Sequence, residues 1–120
     1  MIEPIPSPEG VLAFRAVGRI ERADYRDVLE PAVEAMVAGR GEVRLVYVLG
    51  EAFEGYAVGA GFEDARLGLG HLSKWERIAI VSDRDWVRHG IGMMGWMMPG
   101  EVRVFPEAEL EGALRWAAAD

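Results

Sequence analysis

The run Val43–Leu49, VRLVYVL, constrains this chain more than any other segment. Apart from Arg44 it has no polar face to give to water, and three of its residues are β-branched valines. As a strand it must be covered on both sides, which is the position of a central strand in a helix-covered sheet. Ile78–Val81, IAIV, repeats the pattern. Around these runs, apolar residues recur at three- and four-residue spacing, the period of an amphipathic helix. Tyr25, Val28, Leu29, Ala32, Val33, Met36 and Val37 make one stripe over Arg22–Ala38. Phe62, Ala65, Leu69 and Leu72 make a second over Phe62–Leu72, and Leu110, Ala113, Leu114 and Ala117 a third over Glu107–Ala119. Strands alternating with helices imply a mainly parallel sheet with helices on its faces.

The remaining elements follow from local chemistry. Ile2–Pro6 and Val11–Val17 read as a hairpin about the turn Ser7-Pro8-Glu9-Gly10. Pro4 and Pro6 leave few backbone donors, which puts the first strand at an edge. Val102–Phe105, VRVF, alternates as a second edge strand does. Asp24 and Asp27 suit the positive end of a helix dipole, and Gly39 is expected to end that helix. Pro31 removes a bond from its interior, so a kink there or a start near Asp27 is expected. Gly50–Gly61 reads as a glycine-rich loop, and Trp75, set between Lys74 and Glu76, as an aromatic at the surface rim. The expected fold is one α/β domain over residues 1–120, in the order β-β-α-β-α-β-α-β-α. It has a mostly parallel five-stranded sheet and four helices.

One helix, expected over Arg84–Met98, is unusual for the stretch it contains. Trp86–Gly100, WVRHGIGMMGWMMPG, carries no charge from Gly90 to Met98 and places four Met, a Trp and an Ile among three Gly. Asp83 and Asp85 bracket its start as N-cap candidates, and Pro99-Gly100 stops it. Asp85, Arg88 and His89 supply a wet face only in the first turns. Val87, Ile91, Met94 and Met98 form one stripe, Trp86, Gly90, Met93 and Met97 the next, and Trp96 lies outside both. A helix apolar nearly all round must be covered by its own core, a partner subunit, a lipid-like ligand or a membrane surface.

Composition narrows the function. The chain has 51% hydrophobic and 28% charged residues, so it folds as a globular domain. Its formal net charge of −7 argues against nucleic acid, whose phosphates would be repelled. The absence of cysteine rules out disulfides, thiolate catalysis and Cys-bound metal, and fits a cytoplasmic location. The first residues, MIEPIPSPEG, do not read as a signal peptide, and the uncharged run is shorter than the ~20 apolar residues of a spanning helix. His71 and His89 have no metal-site spacing, and Glu51, Glu54, Glu63 and Asp64 read as solvated acids. The Gly59-Ala60-Gly61 element lacks the third glycine of a dinucleotide fingerprint. No catalytic residue, metal ligand or cofactor is expected.

The strings VRLVYVLGEAFEGY, FEDARLGL, HLSKWERIAIVSD, WVRHG and PGEVRVF, in this element order, resemble the SpoIIAA-like family over nearly the whole chain from Val11 onward. That family is a branch of the STAS fold with structural kinship to CRAL-TRIO lipid-binding domains. The resemblance implies the fold and a non-enzymatic role. It also implies a phosphorylatable Ser at the start of the helix after the third strand, but Glu51–Gly61 contains no Ser or Thr. The three serines, Ser7, Ser73 and Ser82, fall elsewhere, so no phosphoacceptor is expected. What the resemblance leaves is a binding module for a hydrophobic ligand, or one that associates peripherally with membrane. The rival is a protein-interaction domain, a homodimer or regulatory partner that uses the same surface. The candidate ligand or interface residues are Phe53, Tyr56, Trp86, Met93, Met94, Trp96 and Met97.

Overall fold

Side chains of a strand alternate between its two faces, so a continuous apolar strand can serve two cores at once. The computed structural model describes residues 1–57, 74–94 and 100–119, and the side chains of all of these but 90–94. The chain runs β1 (Ile2–Pro4), β2 (Leu12–Ala16), β3 (Gly18–Ile20), α1 (Arg22–Asp24), a π-helical turn (Tyr25–Leu29), α2 (Glu30–Arg40) and β4 (Val43–Val48). It continues through β5 (Phe53–Tyr56), β6 (Trp75–Val81), α3 (Asp85–Met94), β7 (Glu101–Phe105), a 3-10 turn (Glu107–Glu109) and α4 (Leu110–Ala118). Five strands form one sheet in the order β1-β2-β4-β6-β7. The β1–β2 pair is antiparallel and the other three pairs are parallel. This is the mostly parallel five-stranded sheet expected, with the hairpin strand and the VRVF strand at its edges. The helix expected at Phe62–Leu72 lies outside the described residues.

Strand β4 divides as its period requires. Val43, Leu45, Tyr47 and Leu49 join Phe14, Ala16 and Ile80 in one core with Tyr25, Leu29, the fully buried Val33 of α2 and Val87 of α3. Val46 and Val48 join Ala13, Ala79 and Val81 in a second core with Ala113 and Ala117 of α4. Leu110 and Leu114 pack against that second core, so the inward stripe read for the last helix holds.

Several local expectations are corrected. The first long helix does not stop at Gly39. Gly41, at φ +81°, adopts the left-handed cap, and its N–H donates to the Val37 carbonyl at 2.8 Å. Pro31 lies not mid-helix but in the first turn of α2, directly after the π-helical turn, where a proline's missing N–H is tolerated. Trp75 is not a rim residue. It opens β6 opposite Val43 and is only 6% exposed, because a strand turns alternate residues inward even between Lys74 and Glu76. Gly50–Gly61 is not all loop, since β5 occupies Phe53–Tyr56.

The carboxyl end of α4 is closed by side chains from the sheet. A helix leaves its last carbonyls without intrahelical donors. The Arg44 guanidinium donates to the Ala117 and Ala119 carbonyls at 3.1 and 2.7 Å. Arg77 donates to those of Trp116 and Ala119 at 2.6 and 2.7 Å. Arg44 also donates to Glu76 Oε1, which holds the Glu76 carboxyl below its ordinary range. Glu42 shares a hydrogen bond with Glu76, and that bond together with the neighbouring negative charge raises its pKa.

The two carboxyls therefore respond oppositely to acid. Glu76, lowered in the fold, contributes stability above its unfolded pKa and loses it as pH falls through the folded value. Glu42, raised in the fold, opposes folding once it ionises. Glu42→Gln is expected to raise the melting temperature at neutral pH, and melts repeated below the carboxylate range should show that gain vanish. A second prediction concerns Gly100. A Cβ there would stand 2.8 Å from the Glu76 carbonyl oxygen and closer still to that of Trp75, so β6 would have to move. Gly100→Ala is expected to cost about 1–3 kcal/mol in denaturant unfolding, in line with overpacked sites.

Candidate functional site

Beyond Ala16 and Val48 the sheet parts and then closes again. The last β2–β4 pair is Arg15 with Val48, and the first β3–β5 pair is Gly18 with Phe53. One chain advances three residues between these pairs and the other five, so the second must bulge. Two close contacts re-join them. The Gly18 N–H donates to the Ala52 carbonyl at 2.6 Å, and the Ala57 N–H to that of Ile20 at 2.7 Å. Gly18, at φ +67°, permits the bend that leads into β3.

This second, two-stranded ribbon carries a row of aromatic rings. Phe53 is fully buried and meets Tyr56 edge-on at 5.2 Å. Tyr56 stacks on Tyr25 at 6.4 Å, and the π-helical turn supplies Tyr25. On the other side, the Phe53 ring lies 6.0 Å from that of Trp86, a residue 56% exposed. The row thus runs from the core out to solvent. Such pairs add about 0.5–1.5 kcal/mol each beyond area burial, which holds the outermost ring in place.

The start of α3 fixes Trp86. Ser82 is fully buried, its N–H donating to the Phe105 carbonyl at 2.9 Å and its Oγ accepting the Arg84 N–H at 3.1 Å. The Arg88 N–H then reaches the Arg84 carbonyl at 3.1 Å, the first helical bond. Asp83, a capping candidate by sequence, does something else. Its Oδ1 accepts the Glu107 N–H at 3.0 Å and ties down the turn ahead of α4. Asp85 occupies the first turn of α3, where the dipole favours it. Val87 faces the core while Asp85, Arg88 and His89 are exposed, as the early wet face predicted.

Arg84 links the two halves of the site. Its guanidinium lies 5.3 Å from the Phe53 ring centroid and donates to the carbonyls of Gly50, at 3.3 Å, and of Phe53. Its donors are committed to backbone carbonyls, which ties the 50–53 segment to the start of α3. The structure brings Phe53, Tyr56 and Trp86 together, residues that the sequence places in two separate segments. Met93 and Met94 fall in α3, but their side chains are outside the described residues, as are Trp96 and Met97 altogether. Sequence reasoning missed Tyr25, which was assigned only to a helix stripe, and Arg84, which carried no motif. Among the described residues no three His, Asp or Glu side chains gather as a metal site would need.

The row makes a sharp contrast testable. Phe53→Ala is expected to cost about 3–5 kcal/mol, as for other buried aromatics. Trp86→Ala, at an exposed position, is expected to cost under about 1 kcal/mol. Chemical denaturation of the two variants checks the ranking.

A family model described as SpoIIAA-like matches residues 11–118. Among solved structures, the chain is similar to that of an uncharacterized protein of the DUF3478 family with a SpoIIAA-like fold from Shewanella loihica PV-4. The two are 27% identical, the match covers 98% of this chain and 93% of that one, and the TM-score is 0.78. No curated protein matches the sequence. The family match spans every described element from β2 to α4, the aromatic row included. With the family model matched over almost its whole length and a SpoIIAA-like fold among its structural neighbours, the chain belongs to the SpoIIAA-like family.

Proposed function

We propose that this protein is a non-catalytic binding domain that takes an apolar, lipid-like ligand, or the apolar part of a lipid surface, on the ring of Trp86. The observation that carries the reading is that Trp86 is 56% exposed yet seated on the fully buried Phe53. An aromatic surface held in place before binding loses little side-chain freedom on contact, so more of its burial appears as affinity. The uncharged sequence Gly90–Met98, which follows in the same segment, supplies further apolar side chains of the adaptable kind. A net charge of −7 favours neutral or zwitterionic lipid over anionic lipid. Among the described residues no helix is long and apolar enough to cross a membrane. The competing reading is a second copy of this chain on the same surface, in a dimer.

Tryptophan fluorescence separates them. The chain has four tryptophans, so the difference between the wild type and Trp86→Phe isolates the one in question. A blue shift of that component that saturates with oleate or phosphatidylcholine vesicles, at constant protein concentration, is the expected result. A shift that follows protein concentration alone would replace the ligand with a subunit interface. No response of Trp86 to either would refute both readings.

A further inference from the structure

Where the sheet parts, it leaves a cleft of about 240 Å³ on the face that carries α4, away from the aromatic row. Arg15, Glu51 and Glu107 line it together with the apolar side chains of Val48 and Leu110 and the backbone of Gly50. It lies at the carboxyl ends of β2 and β4.

Arg15 is the informative residue. It stands beside Val48 and two positions after Ala13, both of which face α4, so its side chain shares that face. Arg44 and Arg77, at the other end of the same face, use their donors on the carbonyls of α4. Half-buried Arg15 has no hydrogen bond or ion pair among the described residues. Glu3, opposite it in β1, is exposed and makes no ion pair with it. A guanidinium presents five donors in a planar fork, and its best complement is a carboxylate taken in bidentate fashion.

The cleft also holds the opposite sign. A Cβ on Gly50 would lie 2.6 Å from Glu107 Oε1, so the Glu107 carboxylate rests across the bare backbone of that glycine. The bond from the Glu107 N–H to Asp83 anchors the residue there. Glu51 adds a second, exposed carboxylate. A phosphate would meet these two acids, and a simple cation would meet Arg15. A ligand that carries both signs satisfies all three.

We propose that this cleft binds a small zwitterion of the size of a free α-amino acid. Its carboxylate pairs with Arg15, and its ammonium group is held by Glu107 and Glu51. The volume falls below the ~300–1,000 Å³ of sites for drug-sized ligands, which sets the upper size.

The test is a titration of the ¹⁵N-labelled full chain with the standard L-amino acids, following the amides of Gly50, Ala52 and Glu107. At least one amino acid is expected to give saturable shifts, weakened at least about tenfold in Arg15→Met and in Glu107→Gln. Propionate and ethylammonium, each with one sign only, are expected not to saturate over the same range. Should Arg15→Met fail to fold, Glu51→Gln changes an exposed side chain and must still weaken binding. The proposal is overturned if no amino acid saturates these amides, if the folded variants bind as well as the wild type, or if propionate binds as tightly.

Discussion

Everything in this molecule is arranged around β4, because that strand is bonded on both edges and buried on both faces. Its backbone pairs in parallel with β2 and with β6, and its side chains divide between two cores. The helices gain their place from it. Those after β3 and β6 pack on the Leu45–Tyr47–Leu49 side, and α4 packs on the Val46–Val48 side. At the start of the strand Arg44 closes the last helix, and at its finish the backbone bulges into the 50–53 segment.

That segment faces two environments. Toward the first core it sends Phe53 into the aromatic row, and toward α4 its Gly50 backbone lies under Glu107. Arg84 grips it by two carbonyls and Asp83 holds the turn opposite, so adjacent residues of one short connection stabilise an apolar surface and a charged cleft. The family match alone would not distinguish these two places. Their difference comes from residue types: rings and a cation hydrogen-bonded to backbone on one side, unspent charges of both signs on the other.

Much of the architecture was legible in the sequence because hydrophobic period is a local signal. VRLVYVL declared a strand covered on both faces, and the prolines of the first strand declared an edge. The stripe Leu110–Ala113–Leu114–Ala117 named the inward face of α4. Where the reading failed, a neighbour decided. Trp75 looked peripheral beside Lys74 and Glu76, yet pairing with β4 begins at that residue. Gly39 was as good a helix stop as Gly41, and only the backbone conformation separates them. The site was legible in part. Phe53 and Tyr56 stood out as aromatics of a glycine-rich loop and Trp86 as part of the apolar helix, but their meeting depends on β3 pairing with β5, which no local period encodes. Arg15 passed unnoticed because an isolated charge in a strand is ordinary until its lack of a partner is seen.

The double grip of Arg44 and Arg77 on the end of α4 has a kinetic side. Those bonds span 39 to 75 residues of sequence. They reach the same helical turn only when β4 and β6 already lie next to each other in register. Contacts so distant along the chain close at an entropic penalty that local ones do not incur. The docking of the final helix therefore reports that the two central strands have found each other.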